Sequence, residues 1–269
     1  MNRAIFRYEF KSRLPSVLTW AASASLVILI YAAIFPSFAK DAAILNRTMA
    51  NFPAAFRAAF GLGEQDLSSV LGYFSFMYLF LQLILAVQAA NYGIGLVSTE
   101  ERELTADFLL TRPVTRFQII TSKLLAVLAN LALTHLIVWL ASFFFLNLFR
   151  GEKTFEPTTL LMLLAGLMGF QLFFLSVGLF ITLLLKRVRS VTPYSLALAF
   201  GMYALAGFSD MQGDSLLEKL TPFKHFNPNV VVSQGHFDGA LVSISAIAVI
   251  LSIVGSYWLY ARRDIHAVT

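Results

Sequence analysis

Six long stretches of the 269-residue chain contain no Asp, Glu, Lys or Arg. In chain order they are residues 14–39, 67–99, 124–149, 157–185, 190–209 and 239–261. A helix needs about 20 mostly apolar residues to cross a hydrocarbon layer, and each stretch reaches that length. The stretches lack the alternating apolar and polar pattern of barrel strands. Apart from closed barrels, only helices can hydrogen-bond all their backbone groups internally within lipid. The sequence therefore predicts an all-α polytopic membrane protein with six transmembrane helices.

The composition agrees with a chain embedded in the lipid bilayer. Apolar residues make up 58% and charged residues 13%, against about 25% charged residues in soluble domains. We expect one transmembrane domain over residues 1–269, with spans near 16–38, 70–96, 118–148, 158–185, 190–209 and 239–261. The absence of cysteine excludes disulfides, Cys-ligated metal centres and thiol nucleophiles.

The distribution of basic residues predicts the orientation of these spans. An even number of crossings places both termini on one side of the membrane. The termini and the connections predicted on their side carry 13 Lys and Arg residues, and the other three connections carry 7. Cytoplasmic segments carry the excess of basic residues, so both termini are predicted to be cytoplasmic in the cell membrane. The net charge of +5 is thus explained by topology, and no nucleic-acid partner is expected.

The residues before the first span predict an N-terminal interfacial helix. Arg3, Arg7 and Lys11 fall on one helical stripe, with Phe6 and Phe10 beside it, a composition suited to the headgroup layer. A secretory signal is the alternative interpretation. The apolar run of 26 residues is longer than a signal-peptide core of roughly 7–15 residues, which favours a retained anchor.

The connection between the second and third spans predicts a short cytoplasmic helix near residues 99–111. Ser98 and Glu101 have the spacing of a capping box at a helix start. Pro113 follows the predicted end, and the residue before a proline avoids the α region. By charge pattern alone, an ordinary solvated loop helix is the simpler interpretation.

Several kinds of chemistry lack their sequence signatures. The chain has no G-x-x-x-x-G-K-[ST] phosphate loop, no H-E-x-x-H and no G-x-S-x-G. The four histidines lie in separate segments, so neither catalytic nor metal-binding residues are predicted. Proton- or sodium-coupled carriers place ionisable groups inside the membrane, and the six stretches hold no Asp or Glu, which disfavours that class. ATP-driven motion would need another polypeptide.

Several segments together are similar to the permease subunit of ABC-2-type ABC transporters, which are mostly bacterial and archaeal exporters. They are Tyr8-Glu9-Phe10-Lys11, the acidic run from Ser98 to Thr105, Leu109 to Arg116 with Lys123, Thr221 to Pro228, and Arg262-Arg263-Asp264. The resemblance covers the whole chain, and the second connection is its most specific part. Leu104 departs from the family pattern, which commonly has glycine there.

The resemblance implies a permease that pairs with a second permease copy or homologue and with separate ATPase subunits. The helix in the second connection would then be the coupling helix that docks into the ATPase, and ATP and Mg²⁺ would bind to that partner, with no cofactor on this chain. The residues implied in coupling are Glu100, Glu101, Arg102, Leu104, Thr105, Asp107, Phe108 and Pro113.

The resemblance further implies that the second and fifth spans line the substrate pathway. Our candidates for cargo contact are Tyr78, Gln82, Tyr194 and Tyr203. Weakly polar residues in membrane helices more often join helices together, which is the alternative for all four. A non-transporting scaffold and, with less support, an intramembrane enzyme are alternative functions. Cargo from drugs to lipids, polymers and ions is compatible with the sequence.

Overall fold

A computed structural model describes residues 1–52, 66–103, 114–185, 188–212 and 215–262. Within these ranges the side chains of 42–47, 49, 50, 100–103 and 215 are outside the description. The described chain is helical, with six long helices that are apolar enough to cross a membrane. These are α1 (Arg3–Ala50), α2 (Val70–Glu103), α3 (Arg116–Phe149), α4 (Pro157–Leu184), α5 (Val191–Gln212) and α9 (Gly239–Arg262). The predicted all-helical class with six long apolar helices is confirmed.

Helix α2 lies at the centre of the bundle. It packs along α4 and also contacts α1, α3 and α5, while α1 packs along α3 and α9 packs on α4. Helices α2 and α4 are accordingly the most buried of the six, and α5 and α9 are the least buried. The large exposed side chains along the middle of α9 are apolar, among them Ile250, Leu251 and Val254, as expected for a surface that faces lipid.

Small residues allow α2 and α4 to pack backbone against backbone. A Cβ added to Gly93 would lie 2.2 Å from the carbonyl oxygen of Leu175, and one added to Gly178 would lie 3.1 Å from the carbonyl oxygen of Ala90. Close approach of this kind is how membrane helices gain dispersion contacts without a hydrophobic driving force between them. Helices α2 and α4 are therefore in direct backbone contact at the centre of the bundle.

The N-terminal residues belong to the same helix as the first span. Helix α1 has 48 residues and is about 72 Å long, more than twice the thickness of a hydrocarbon core. The Asn2 side-chain oxygen accepts a 2.9 Å hydrogen bond from the backbone N–H of Ala4 and so caps its start. The residues of the predicted interfacial helix therefore continue without a break into the first span, and their position in the headgroup layer stays a prediction.

The described residues between α5 and α9 form three short helices: α6 (Ser215–Glu218), α7 (Pro222–His225) and α8 (Pro228–Gln234). The side chain of Gln82 donates a 3.1 Å hydrogen bond to the carbonyl oxygen of Phe226, just after α7. Gln82 lies about 18 Å along α2 from Val70. The ring of Phe223 also packs against Phe170 of α4, with centroids 5.0 Å apart. The connection thus enters the bundle between α2 and α4.

Candidate functional site

The two ends of the described chain meet at the start of α3. The backbone N–H of Asn2 donates a 2.7 Å hydrogen bond to the Ser122 hydroxyl. The Arg116 guanidinium donates to the carbonyl oxygens of Tyr260 (3.3 Å) and Ala261 (3.4 Å) near the end of α9. This end of the bundle therefore holds the start of α1, the end of α9 and the start of α3.

A buried cluster of charges joins three helices at this end. The Lys123 ammonium of α3 lies 3.0 Å from one carboxylate oxygen of Glu9 in α1. The other carboxylate oxygen of Glu9 lies 3.3 Å from the Arg13 guanidinium. Lys123 also donates a 2.8 Å hydrogen bond to the carbonyl oxygen of Leu96 in α2. The side chains of Lys123 and Glu9 are only 2% and 10% exposed, so water screens their interaction weakly.

Aromatic and hydroxyl groups extend this cluster. The Arg13 guanidinium lies 5.6 Å from the centre of the buried Tyr92 ring, which belongs to α2. The Tyr92 hydroxyl donates a 3.1 Å hydrogen bond to the hydroxyl of Ser16 in α1. The first turns of α1 are thus bound to α2 by Tyr92 and Lys123 together. We call Glu9, Arg13 and Lys123 the charge cluster.

Sequence reasoning missed the charge cluster. A charged residue beside an apolar run is usually solvated. From the sequence, Lys123 is therefore assigned to the cytoplasmic connection between the second and third spans, and no role is predicted for Glu9. The structure places Lys123 inside α3 and buries it. The available signal was one acid, Glu9, among the basic residues before the first span.

The predicted helix start at Ser98 is wrong. Helix α2 continues without a break through Ser98 to Glu103. The Ser98 hydroxyl donates a 2.7 Å hydrogen bond to the carbonyl oxygen of Ile94, and Thr99 makes the equivalent bond of 2.8 Å to Gly95. These bonds to the residue four positions earlier occupy the hydroxyl groups inside a helix. The Ser-x-x-Glu spacing therefore falls in the interior of α2 and does not cap a new helix.

Most of the predicted coupling residues cannot be placed. The backbone of Glu100, Glu101 and Arg102 belongs to the last turns of α2, and their side chains lie outside the described residues. Leu104, Thr105, Asp107, Phe108 and Pro113 lie outside the described residues altogether. A coupling helix over 99–111 therefore stays a prediction, except that its first residues continue α2.

A capping box does occur at the other end of the same connection. Thr115 is the N-cap of α3, and its hydroxyl accepts a 3.2 Å hydrogen bond from the backbone N–H of Gln118. The Gln118 side chain accepts a 3.3 Å hydrogen bond from the backbone N–H of Thr115 in return. The Thr-x-x-Gln spacing before an apolar run is itself a sequence signature of a helix start. Sequence reasoning placed the capping box at Ser98 instead.

The four pathway candidates fall into two groups. Tyr78 donates a 2.9 Å hydrogen bond to the carbonyl oxygen of Leu163, and its side chain, like that of Gln82, is enclosed by the chain's own helices. Tyr203 is half-buried with its ring 5.6 Å from that of Phe223. Tyr194 is 39% exposed on α5. The structure thus brings Tyr78 and Gln82 to an internal packing surface and leaves Tyr194 on the outside.

A second polar network lies deeper in the bundle. The Gln88 side chain donates a 2.8 Å hydrogen bond to the Thr134 hydroxyl, and Gln171 donates a 3.1 Å hydrogen bond to Gln88. These three residues join α2, α3 and α4. His135, next to Thr134, is buried among the helices. In the part of the chain that the structure describes, no three His, Asp or Glu residues form a group that could hold a metal ion.

Comparison with known families identifies one match. A family model described as ABC-2 family transporter protein matches residues 3–265. No curated protein sequence matches the chain at a significant level. The match includes all six long helices and the connection between α2 and α3.

Proposed function

Because the chain belongs to the ABC-2 family of transporter membrane proteins, we propose that it is the permease subunit of an ATP-driven exporter. It forms the substrate pathway as a dimer with a second copy or a homologue. Separate ATPase subunits bind and hydrolyse ATP, because this chain has no phosphate-binding loop sequence. Permeases of this family typically lack a catalytic domain of their own.

The observation that carries the proposal is the arrangement around the α2–α3 connection. The connection follows an acidic end of α2, Glu100-Glu101-Arg102-Glu103, and leads into the capped start of α3. Helices α2 and α3 have 34 residues each and are about 51 Å long. A partner that moves the connection can therefore tilt two helices that extend through the bundle.

In the proposed cycle, ATP binding closes the ATPase pair and draws the two connections of the permease dimer together. Alternating access follows when the attached helices tilt and open the pathway to the outside. Both termini and the α2–α3 connection are on the cytoplasmic side in this scheme. The distribution of Lys and Arg supports this orientation, and an ATPase could reach the connection only from there.

We place the pathway along α2 and α5 of the two permease copies. Tyr194 supports this placement best, since it is exposed on α5, and Tyr203 lies on the same helix. Tyr78 and Gln82 would reach cargo only if α4 and the segment after α7 moved away from α2 during the cycle. In the described arrangement their hydrogen bonds hold the fold of one subunit together.

The experiment is to co-express the tagged chain with a candidate ABC ATPase subunit and to purify the complex in nanodiscs. We expect the ATPase to co-purify and the isolated permease to hydrolyse no ATP. Specific hydrolysis by the isolated chain would contradict the proposal. The scaffold alternative would be favoured by a complex that assembles but transports no candidate cargo, and whose rate of ATP hydrolysis does not respond to any of them.

A further inference from the structure

We propose that the charge cluster of Glu9, Arg13 and Lys123 is a latch that makes the start of α1 move as one unit with the end of α2 and the start of α3. Glu9 and Lys123 are positioning residues in this proposal. Only the test with ATP depends on the proposed function, since the latch itself is a property of the isolated chain.

The first argument is that apolar packing alone would not fix the position of α1 along α3. Beyond the cluster, the side chains that α1 buries in the bundle are largely apolar, among them Val17, Ala21 and Ala24. Apolar contacts between membrane helices are weakly directional, so they tolerate small shifts along the helix axis. The charge cluster is directional, because each contact joins two specific atoms.

The second argument is that the cluster ties α1 to α3 and α3 to α2 through specific pairs of atoms. One Glu9 oxygen binds Lys123 and the other binds Arg13. Lys123 in addition binds the Leu96 carbonyl of α2, only a few residues before the acidic end of that helix. A displacement of α1 by one helical turn, about 5.4 Å, would break the Glu9–Lys123 contact.

The third argument concerns why charges are used here. A buried ion pair is not generally more stabilising than apolar residues of the same volume, because both charges lose their hydration. Its best-attested use is to fix register, since the alternative arrangement leaves a buried charge unpaired. The cluster lies where the α2–α3 connection begins and ends, so a fixed register passes movement of that connection to α1.

The first test uses the isolated full chain in nanodiscs and needs no partner. The sequence has no cysteine, so Tyr8→Cys on α1 and Leu148→Cys near the end of α3 can carry spin labels at two exposed positions. Leu148 lies about 37 Å along α3 from Lys123, so the labels are separated mainly along the helix axis and a displacement of α1 along α3 changes the interspin distance by nearly the same amount. We expect a narrow distribution of interspin distances. Glu9→Gln should broaden it and add a population shifted by about one helical turn, roughly 5 Å. Lys11→Gln, which removes an exposed cation from the same turn of α1, is the matched control and should leave it unchanged.

A loss of folding in Glu9→Gln would be resolved by a second variant. The double variant Glu9→Gln with Lys123→Met removes both buried charges, and replacing a buried ion pair by groups of similar volume is often neutral for stability. We expect it to fold and to give a broad distribution, because the contact that fixes the register is lost. A narrow distribution in either folded variant would overturn the latch.

The second test uses the permease bound to its ATPase subunit, with Mg²⁺, ATP and vanadate added to trap the closed ATPase pair. In the otherwise wild-type labelled chain the distance between positions 8 and 148 should stay constant, because α1 moves with α3. In Glu9→Gln it should change by roughly 5 Å. A change of that size in the otherwise wild-type labelled chain would overturn the latch. Failure of any ATPase subunit to bind would instead contradict the proposed function and leave the first test to decide the latch.

Discussion

The hydroxyl group of Tyr78 in α2 donates a 2.9 Å hydrogen bond to the backbone carbonyl oxygen of Leu163 in α4. The Tyr78 side chain is completely enclosed by its own subunit. The bond therefore joins the two most buried helices of the bundle, and its loss should act first on the stability of the subunit.

We predict that Tyr78→Phe lowers the free energy of unfolding by about 1 kcal/mol, the usual net value of one hydrogen bond. Tyr194→Phe is the matched control, since Tyr194 is 39% exposed and no hydrogen bond of its hydroxyl is described. It should leave stability unchanged. Thermal unfolding of both variants in the same detergent measures the difference. Equal stability of the two variants would mean that Tyr78 does not hold α2 to α4.

The α2–α4 contact gives a second prediction. Gly93→Ala places a methyl group 2.2 Å from the carbonyl oxygen of Leu175, where the backbone must move. Overpacking of this kind costs about 1–3 kcal/mol. Gly201→Ala on α5 is the control, because nothing lies within 4 Å of its added Cβ, and alanine favours a helix over glycine. We expect a lower melting temperature only for Gly93→Ala, and an unchanged value there would contradict the close packing.

The orientation in the membrane gives a third prediction. Reporter fusions after Pro113 and after Arg189 should report a cytoplasmic location, and fusions at Gly61 and Gly213 an external one. The reason is the excess of Lys and Arg in the segments on the side of the termini. Each fusion site is tested with two reporters, one that is active only outside the cell membrane and one that is active only in the cytoplasm, and their activities are compared. An external signal after Arg189 would contradict the six-crossing arrangement.

The number and type of the long helices could be predicted because lipid imposes a strong constraint on sequence. Charged residues are excluded from the hydrocarbon layer, so their absence marks the spans. The same signal cannot locate helix ends. Helix α1 begins at Arg3 and α2 continues to Glu103, because charged residues are compatible with a helix once it leaves the lipid.

The charge cluster and the pathway candidates could not be resolved for a different reason. Whether Lys123 is solvated or buried depends on which helix lies against it. A single sequence does not show which helices are neighbours in the bundle. Helix α2 is buried around most of its circumference, so its periodicity does not separate a packing face from a pathway face. The capping box at Thr115 and Gln118, in contrast, was readable from local sequence.

The central claim is that the α2–α3 connection docks into an ATPase subunit, and a triple variant tests it most directly. Truncating one partner of a buried interfacial charge pair costs about 2–5 kcal/mol, so Glu100→Ala with Glu101→Ala and Phe108→Ala should detach or uncouple the ATPase. The control is Ser98→Ala. The Ser98 hydroxyl donates its hydrogen bond within α2, to the carbonyl oxygen of Ile94, so this variant should still bind the ATPase subunit. The measurement is co-purification of the ATPase with each variant in nanodiscs, together with ATP hydrolysis by the recovered complex. We predict loss of partner or of permease-dependent hydrolysis in a folded triple variant, and normal assembly with normal hydrolysis would contradict the account.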